Sequence, residues 1–256
     1  MLKNGSFEEP WTDLPPQPGY LINQQPAGWT ISWVEQGQPL YDSQDKADGI
    51  PECVHKLSTQ LPPNEQLGAK DALILDGSVT YKVFHFAAPF GAELRQTVRG
   101  LKPGTTGKLI APILAVLYDE QDEYGVETGA WVDTVGSDKS DDWAGQWVTG
   151  RKMGDRKWYE HEVSFMVPAS GTVTVILRVK GKWARPKDFF FDHIRLEAVA
   201  AEEGSGSSVT PTTAVATLHL PIGYQVRTQI ASGDDKQIVV SLPPGVTLNV
   251  VEPDAG

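Results

Sequence analysis

Glycine and proline recur so often along this chain, 25 and 19 times in 256 residues, that no long helix fits between them. A glycine inside a helix costs about 1 kcal/mol relative to alanine, and a proline about 3 kcal/mol. What lies between the interruptions alternates. Ala92-Glu93-Leu94-Arg95-Gln96-Thr97-Val98 and Thr172-Val173-Thr174-Val175-Ile176-Leu177-Arg178-Val179 have a period of two and carry β-branched residues, the pattern of half-buried strands. Further strands are expected at 2–8, 29–35, 72–76, 82–86, 108–118, 130–135, 161–167 and 189–196. The run 108–118 is nearly all apolar, as a central strand covered on both faces requires. Turns are marked by Pro89-Phe90-Gly91, Leu101-Lys102-Pro103-Gly104 and Val167-Pro168-Ala169-Ser170-Gly171. Many short strands with frequent turns make the fold all-β, an antiparallel sandwich of the jelly-roll kind.

The domain plan follows from composition. Residues 1–199 form the sandwich, with 10–28 and 36–70 read as long loops that wrap it. Residues 200–214 are rich in Gly, Ser and Thr and read as a linker. Residues 215–256 alternate again and form a small β-rich tail. So short a stretch makes a thin core, so the tail is expected to lean on a partner, by assembly with another protein or subunit.

The formal net charge of −11 argues against nucleic acid and anionic membrane as partners. No run of 18 apolar residues is present. The single cysteine, Cys53, excludes an internal disulfide framework and a multi-thiolate metal site. Met1-Leu2-Lys3-Asn4-Gly5 does not read as a secretory signal. The expected location is extracellular or on a virion, reached by another route.

Several motifs resemble a known family. Asn4-Gly5-Ser6-Phe7-Glu8, Pro26-Ala27-Gly28-Trp29 and Phe190-Phe191-Asp192-His193-Ile194-Arg195-Leu196 look like the boundary motifs of β-sandwich carbohydrate-binding modules. Leu94-Arg95-Gln96-Thr97-Val98-Arg99-Gly100-Leu101-Lys102-Pro103-Gly104 is similar to that family's glutamine strand and Pro-Gly turn. The resemblance covers about residues 2–197. It implies a galactose-binding-like jelly roll and a structural Ca²⁺ held by Glu8 and Asp192 with backbone carbonyls. His193 stands where the family places a second acidic residue.

Eight tryptophans, at 11, 29, 33, 131, 143, 147, 158 and 183, exceed what one sandwich core is expected to bury. Trp29 and Trp158 are assigned to the core. The surplus, exposed on a rigid scaffold, suits stacking on sugar rings, with polar side chains holding hydroxyls. The expected ligand site combines Trp33, Trp131 and Trp183 with Arg95, Gln96 and Asp133, and its partner is a polysaccharide or glycan bound without catalysis. The alternative is a structural or attachment protein, such as an adhesin or virion component, using the same fold for protein contacts. A glycoside hydrolase or lyase is a third reading, for which Glu93 with Asp133 is one available carboxylate pair. No H-E-x-x-H, G-x-S-x-G, P-loop or dinucleotide fingerprint occurs.

Overall fold

The computed structural model describes residues 1–16, 22–41, 43–136 and 147–201, and two short strands beyond them. The chain divides into two units, Met1–Ala201 and Glu202–Gly256. In the second unit, Gln229–Ile230 pairs antiparallel with Ile238–Val239. The expected linker beyond residue 201 and the rest of the expected tail lie outside the described residues.

The strands of the first unit are, in chain order, β1 (Trp11–Asp13), β2 (Gln24–Pro26), β3 (Thr30–Trp33), β4 (Glu52–Leu57), β5 (Val79–His85), β6 (Phe90–Val98), β7 (Thr106–Val116), β8 (Val126–Asp133), β9 (Val148–Thr149), β10 (Lys157–Met166), β11 (Val173–Gly181), β12 (Lys187–Phe191) and β13 (Arg195–Glu197). Two single-turn helices, α1 (Asp122–Gly125) and α2 (Gly150–Met153), precede β8 and β10. A six-stranded sheet runs β10-β7-β12-β5-β4, with β13 also paired to β7. A five-stranded sheet runs β3-β6-β11-β8-β9. All pairings are antiparallel, and the two sheets enclose one core in a jelly-roll β-sandwich.

Alternation decides which side chains fill that core. Phe90, Ala92, Leu94 and Val98 of β6 and Val173, Val175, Leu177 and Val179 of β11 face inward. They meet Leu109, Ala111, Ile113 and Ala115 of β7 and Phe189 and Phe191 of β12. Each such burial is worth about 1.5–3 kcal/mol for a large side chain. Phe7 is fully buried and stacks on Trp29 and Tyr81, with ring centroids 5.6 and 5.4 Å away. A smaller apolar cluster lies on the outer face of the six-stranded sheet. There Leu73, Leu114, Val116 and Phe190 are packed by Leu61 and Trp158.

Several expected elements differ. Residues 2–8 form no strand: Asn4 and Phe7 adopt φ of 48° and 54°, and the segment bonds to a side chain instead of a ladder. Residues 72–76 are irregular, and their Leu73 and Ile74 are buried from a loop. The expected loop 36–70 contains β4, whose inward set of Cys53 and His55 mixes an apolar with a polar residue. The strand expected over 189–196 breaks between β12 and β13, where Asp192 turns its carboxylate onto backbone amides and His193 takes φ 55°. Trp158 belongs to the outer cluster rather than the main core, and its indole donates to the Ala72 carbonyl at 2.8 Å.

Candidate functional site

The outer face of the five-stranded sheet gathers three of the expected ligand residues. Antiparallel register places Thr30 opposite Arg95, Arg95 opposite Ile176 and Ile176 opposite Trp131, one row across four strands. The adjacent row is Thr97, Thr174 and Asp133. Neighbouring strands lie about 4.8 Å apart, so Arg95 and Trp131 stand roughly 10 Å from one another at the backbone. Among the described residues, β9 pairs with β8 at Glu127 and Thr128, so Trp131 lies beyond that pairing. Thr97 and Thr174 share a hydroxyl hydrogen bond of 3.2 Å. Asp133 accepts the amides of Val135 and Gly136 at 2.9 and 3.0 Å, which fixes the turn beyond β8.

The centre of this face is closed by the protein itself. Glu93 bridges two guanidinium groups, accepting from Arg95 Nε at 2.9 Å and Arg178 Nε at 2.6 Å. Arg178 lies under the Tyr41 ring, 4.5 Å from its centroid, and Lys180 lies 3.9 Å from the Trp147 ring centroid. Tyr41 and Trp147 also pack together at 5.7 Å. Burial, reinforced by the Glu93 charge, pushes the Tyr41 phenol far above its usual range. Tyr41 was not among the expected ligand residues, and Trp147 entered only as one of the surplus tryptophans. They come from irregular segments, where periodicity carries no signal.

Gln96 and Trp33 belong elsewhere. The Gln96 side chain points inward and pairs with a peptide group: its Oε1 accepts the Lys3 amide at 2.6 Å and its Nε2 donates to the Lys3 carbonyl at 2.8 Å. Trp33 shares the inward face of β3 with Trp29 and Ile31 and packs on the core. The expectation of bare indoles is also corrected. Among the seven described tryptophans, Trp29 is buried and the other six are half-buried; Trp143 lies outside the described residues. Trp11, for example, stacks on His55 with centroids 4.2 Å apart.

Glu8 and Asp192 brace one loop from two directions. Glu8 Oε1 accepts the amides of Ser78 and Val79 at 2.8 and 2.9 Å, and its Oε2 accepts the Ser78 hydroxyl at 3.0 Å. Asp192 Oδ2 accepts Leu75 and Asp76 at 2.6 and 3.1 Å, and its Oδ1 accepts His193 at 2.7 Å. Burial nevertheless pushes the Asp192 carboxyl up to about 7. Ca²⁺ needs six to eight oxygen ligands. Here the carboxylate oxygens already face the positive ends of N–H dipoles. Among the described residues, no group of three or more His, Cys, Asp or Glu could hold a metal ion.

Glu93 and Asp133 do not form a hydrolytic pair. They sit two strands and four residues apart in register, roughly 16 Å at the backbone, against about 5–9.5 Å for glycosidase carboxylates. Cys53 is buried, and burial pushes its thiol well above the usual range, opposite to what a nucleophile needs.

Trp183 lies at the far end of the sheet. It follows β11 at Gly181, five residues from Ile176 of the Trp131 row and so about 16 Å along the strand. There it lines a cavity of about 470 Å³ with Glu120, Gln121, Glu123, Tyr124 and Arg151. The expected single site therefore divides into two places on the fold.

No family model matches the chain, and no curated protein does. Among solved structures it is similar to a family 61 carbohydrate-binding module in complex with β-1,4-galactotriose, at 16% identity and a TM-score of 0.44, over 77% of this chain and 97% of that one. It is similar to the enzymatically active domain of tailspike protein 4 of bacteriophage CBA120 at 9% identity and a TM-score of 0.40, over 68% of this chain and 20% of that one. A third similar structure is the family 22 xylan-binding domain of a Paenibacillus barcinonensis protein, at 11% identity and a TM-score of 0.33, over 67% of this chain and 96% of that one. The architecture of this chain rests on its own strand order and register.

Proposed function

We propose that this protein binds a polysaccharide or glycan without catalysis, on the outer face of its five-stranded sheet. The observation that carries this reading is the row Arg95–Ile176–Trp131 beside Thr97, Thr174 and Asp133. It sets an accessible indole beside hydroxyls and a guanidinium, while Ile176 and Asp133 are buried and hold the row from beneath. A pyranose offers the complement: an apolar C–H face, and hydroxyls that each donate and accept. Trp131 would carry the stacking, Arg95 would donate to ring hydroxyls, and Thr97 and Thr174 would set register along a chain. The covered centre at Tyr41 and Trp147 directs the ligand toward Trp131 on β8.

Affinity electrophoresis against neutral plant, bacterial and algal polysaccharides tests this. We expect retardation by at least one of them, weakened tenfold or more, about 1.4 kcal/mol, in Trp131→Ala and to a smaller degree in Arg95→Ala. Unretarded migration of the folded protein through every gel would sink the proposal.

A further inference from the structure

We infer that the end pocket around Trp183 is a second, independent ligand site, one that accepts the end of an uncharged glycan. Only the ligand class is shared with the reading above; the site is argued from its own residues.

The pocket is built from three segments that the fold pins in place. One is the turn leading into α1, the second is α2, and the third is the connection from β11 to β12. Asp122 in α1 forms an ion pair of 2.8 Å with Lys187 at the start of β12, and both side chains are fully buried. The other oxygen of Asp122 accepts the Tyr118 amide at 2.8 Å. Lys182 donates its amide to the Gly125 carbonyl at 2.8 Å, and its ammonium pairs with Glu127 at 2.7 Å. Arg185 binds the Gln121 side-chain carbonyl at 2.8 Å and pairs with Asp119. Buried ion pairs contribute little net stability but fix geometry firmly, since losing one partner strands the other charge.

Within that frame the indole is held flat from behind. A Cβ at Gly125 would come within 2.5 Å of Trp183 Cε3, so only glycine allows the ring to rest against the α1 backbone. Tyr124 stands alongside, 50% exposed, and its hydroxyl meets Arg151 Nη1 at 2.5 Å. The rest of the lining alternates in character. Glu120 and Glu123 only accept hydrogen bonds. Arg151 only donates, and the Gln121 amide nitrogen donates while its oxygen is occupied by Arg185.

An aromatic wall ringed by donors and acceptors in turn is the chemistry of a polyhydroxylated ring. Two carboxylates against one guanidinium disfavour a uronate or a phosphate by charge. The volume falls within the range of about 300–1,000 Å³ usual for small ligands. A smaller cavity of about 200 Å³ shares Glu120, Glu123 and Arg151 and continues toward Gly150 and Asp155, giving room for a second unit. A site at the end of the sandwich takes a chain end, whereas the sheet face lies along a chain.

The test is a titration of the full chain followed through its eight indole N–H resonances. Trp183 and Trp131 are assigned by their phenylalanine variants. The probes are methyl β-glycosides of galactose, glucose and xylose, with galacturonate and glucosamine as charged controls. We expect the Trp183 resonance to shift saturably with at least one neutral glycoside. Glu123→Gln should weaken that response at least fivefold, and Gly125→Ala should remove it. Tyr124→Ala, a change at an exposed position that leaves the core intact, should weaken it at least fivefold while the other indole resonances stay in place. The inference is overturned if Trp183 stays still with every neutral glycoside, or responds only to galacturonate or only to glucosamine. A response at Trp131 without one at Trp183 sinks this inference and leaves the sheet-face proposal standing. The reverse supports this inference, and the sheet face is then judged by its polysaccharide test.

Discussion

Gln96 and Lys3 are joined by two hydrogen bonds that imitate one rung of a β-ladder, side-chain amide to main-chain peptide. The N-terminal segment is thereby attached to β6 without being a strand. Both groups of the Gln96 amide are buried, so removing them leaves a peptide group without its partner. We expect Gln96→Ala to lower stability by about 1–3 kcal/mol, read as a shift of the urea midpoint. Polysaccharide retardation measured well below that midpoint should be unchanged, because Gln96 faces away from the proposed ligand.

The buried pair of Asp122 and Lys187 makes a second measurable statement. Burial pulls the Lys187 ammonium below its usual range, opposed by Asp122. Asp122→Asn should cost about 3–5 kcal/mol, since it leaves a buried positive charge uncompensated. Asp122→Leu with Lys187→Met should recover most of that loss. A double-mutant cycle by denaturant unfolding reads the coupling directly.

Acid should loosen the fold through its histidines. Burial, with the Lys152 charge adding, pushes His161 down to about 4, and burial also pushes His55 down to about 4. An unfolded histidine titrates near 6.5. The stability these groups carry is therefore complete above about 6.5 and is lost as pH falls toward 4, up to about 3 kcal/mol for His161. Asp192, raised to about 7, acts in the opposite sense: its contribution is full below about 4 and is lost as pH rises through 7. We expect the wild-type urea midpoint to fall between pH 7 and 4.5. His161→Gln should flatten that fall, and Asp192→Asn should steepen it.

Chelation should leave the protein unchanged. Glu8 and Asp192 hold the 75–79 segment through amide hydrogens. Melting temperatures with excess EDTA and with millimolar Ca²⁺ are expected to agree within 1–2 °C, roughly the shift of a few tenths of a kcal/mol in a domain of this size. A rise of 5 °C or more with Ca²⁺ would overturn this account of the two carboxylates.

The long alternating strands were legible because their burial follows the period of two: β6 and β11 appear within two residues of where the alternation puts them. The apolar run 108–118 became β7, covered inside by the core and outside in part by the satellite cluster. β4 was missed because its inward residues include His55, which alternation counts as polar. The ligand residues divide on the same ground. Arg95, Trp131 and Asp133 are odd-numbered on strands whose even positions fill the core, so one sheet face collects them. Trp33 lies four residues from Trp29 and had to share its inward face. Tyr124, Arg151 and Gln121 were invisible, because single-turn helices and loops have no period to read.

The tether between Glu93 and Arg95 has one more consequence. A long side chain that is loose beforehand must give up rotamer freedom when something docks against it, about 0.5–1.5 kcal/mol each. Arg95 is already held by its Nε at 2.9 Å. That loss falls on the folding of the chain, so a guest settling beside Trp131 meets a guanidinium whose direction has been chosen in advance.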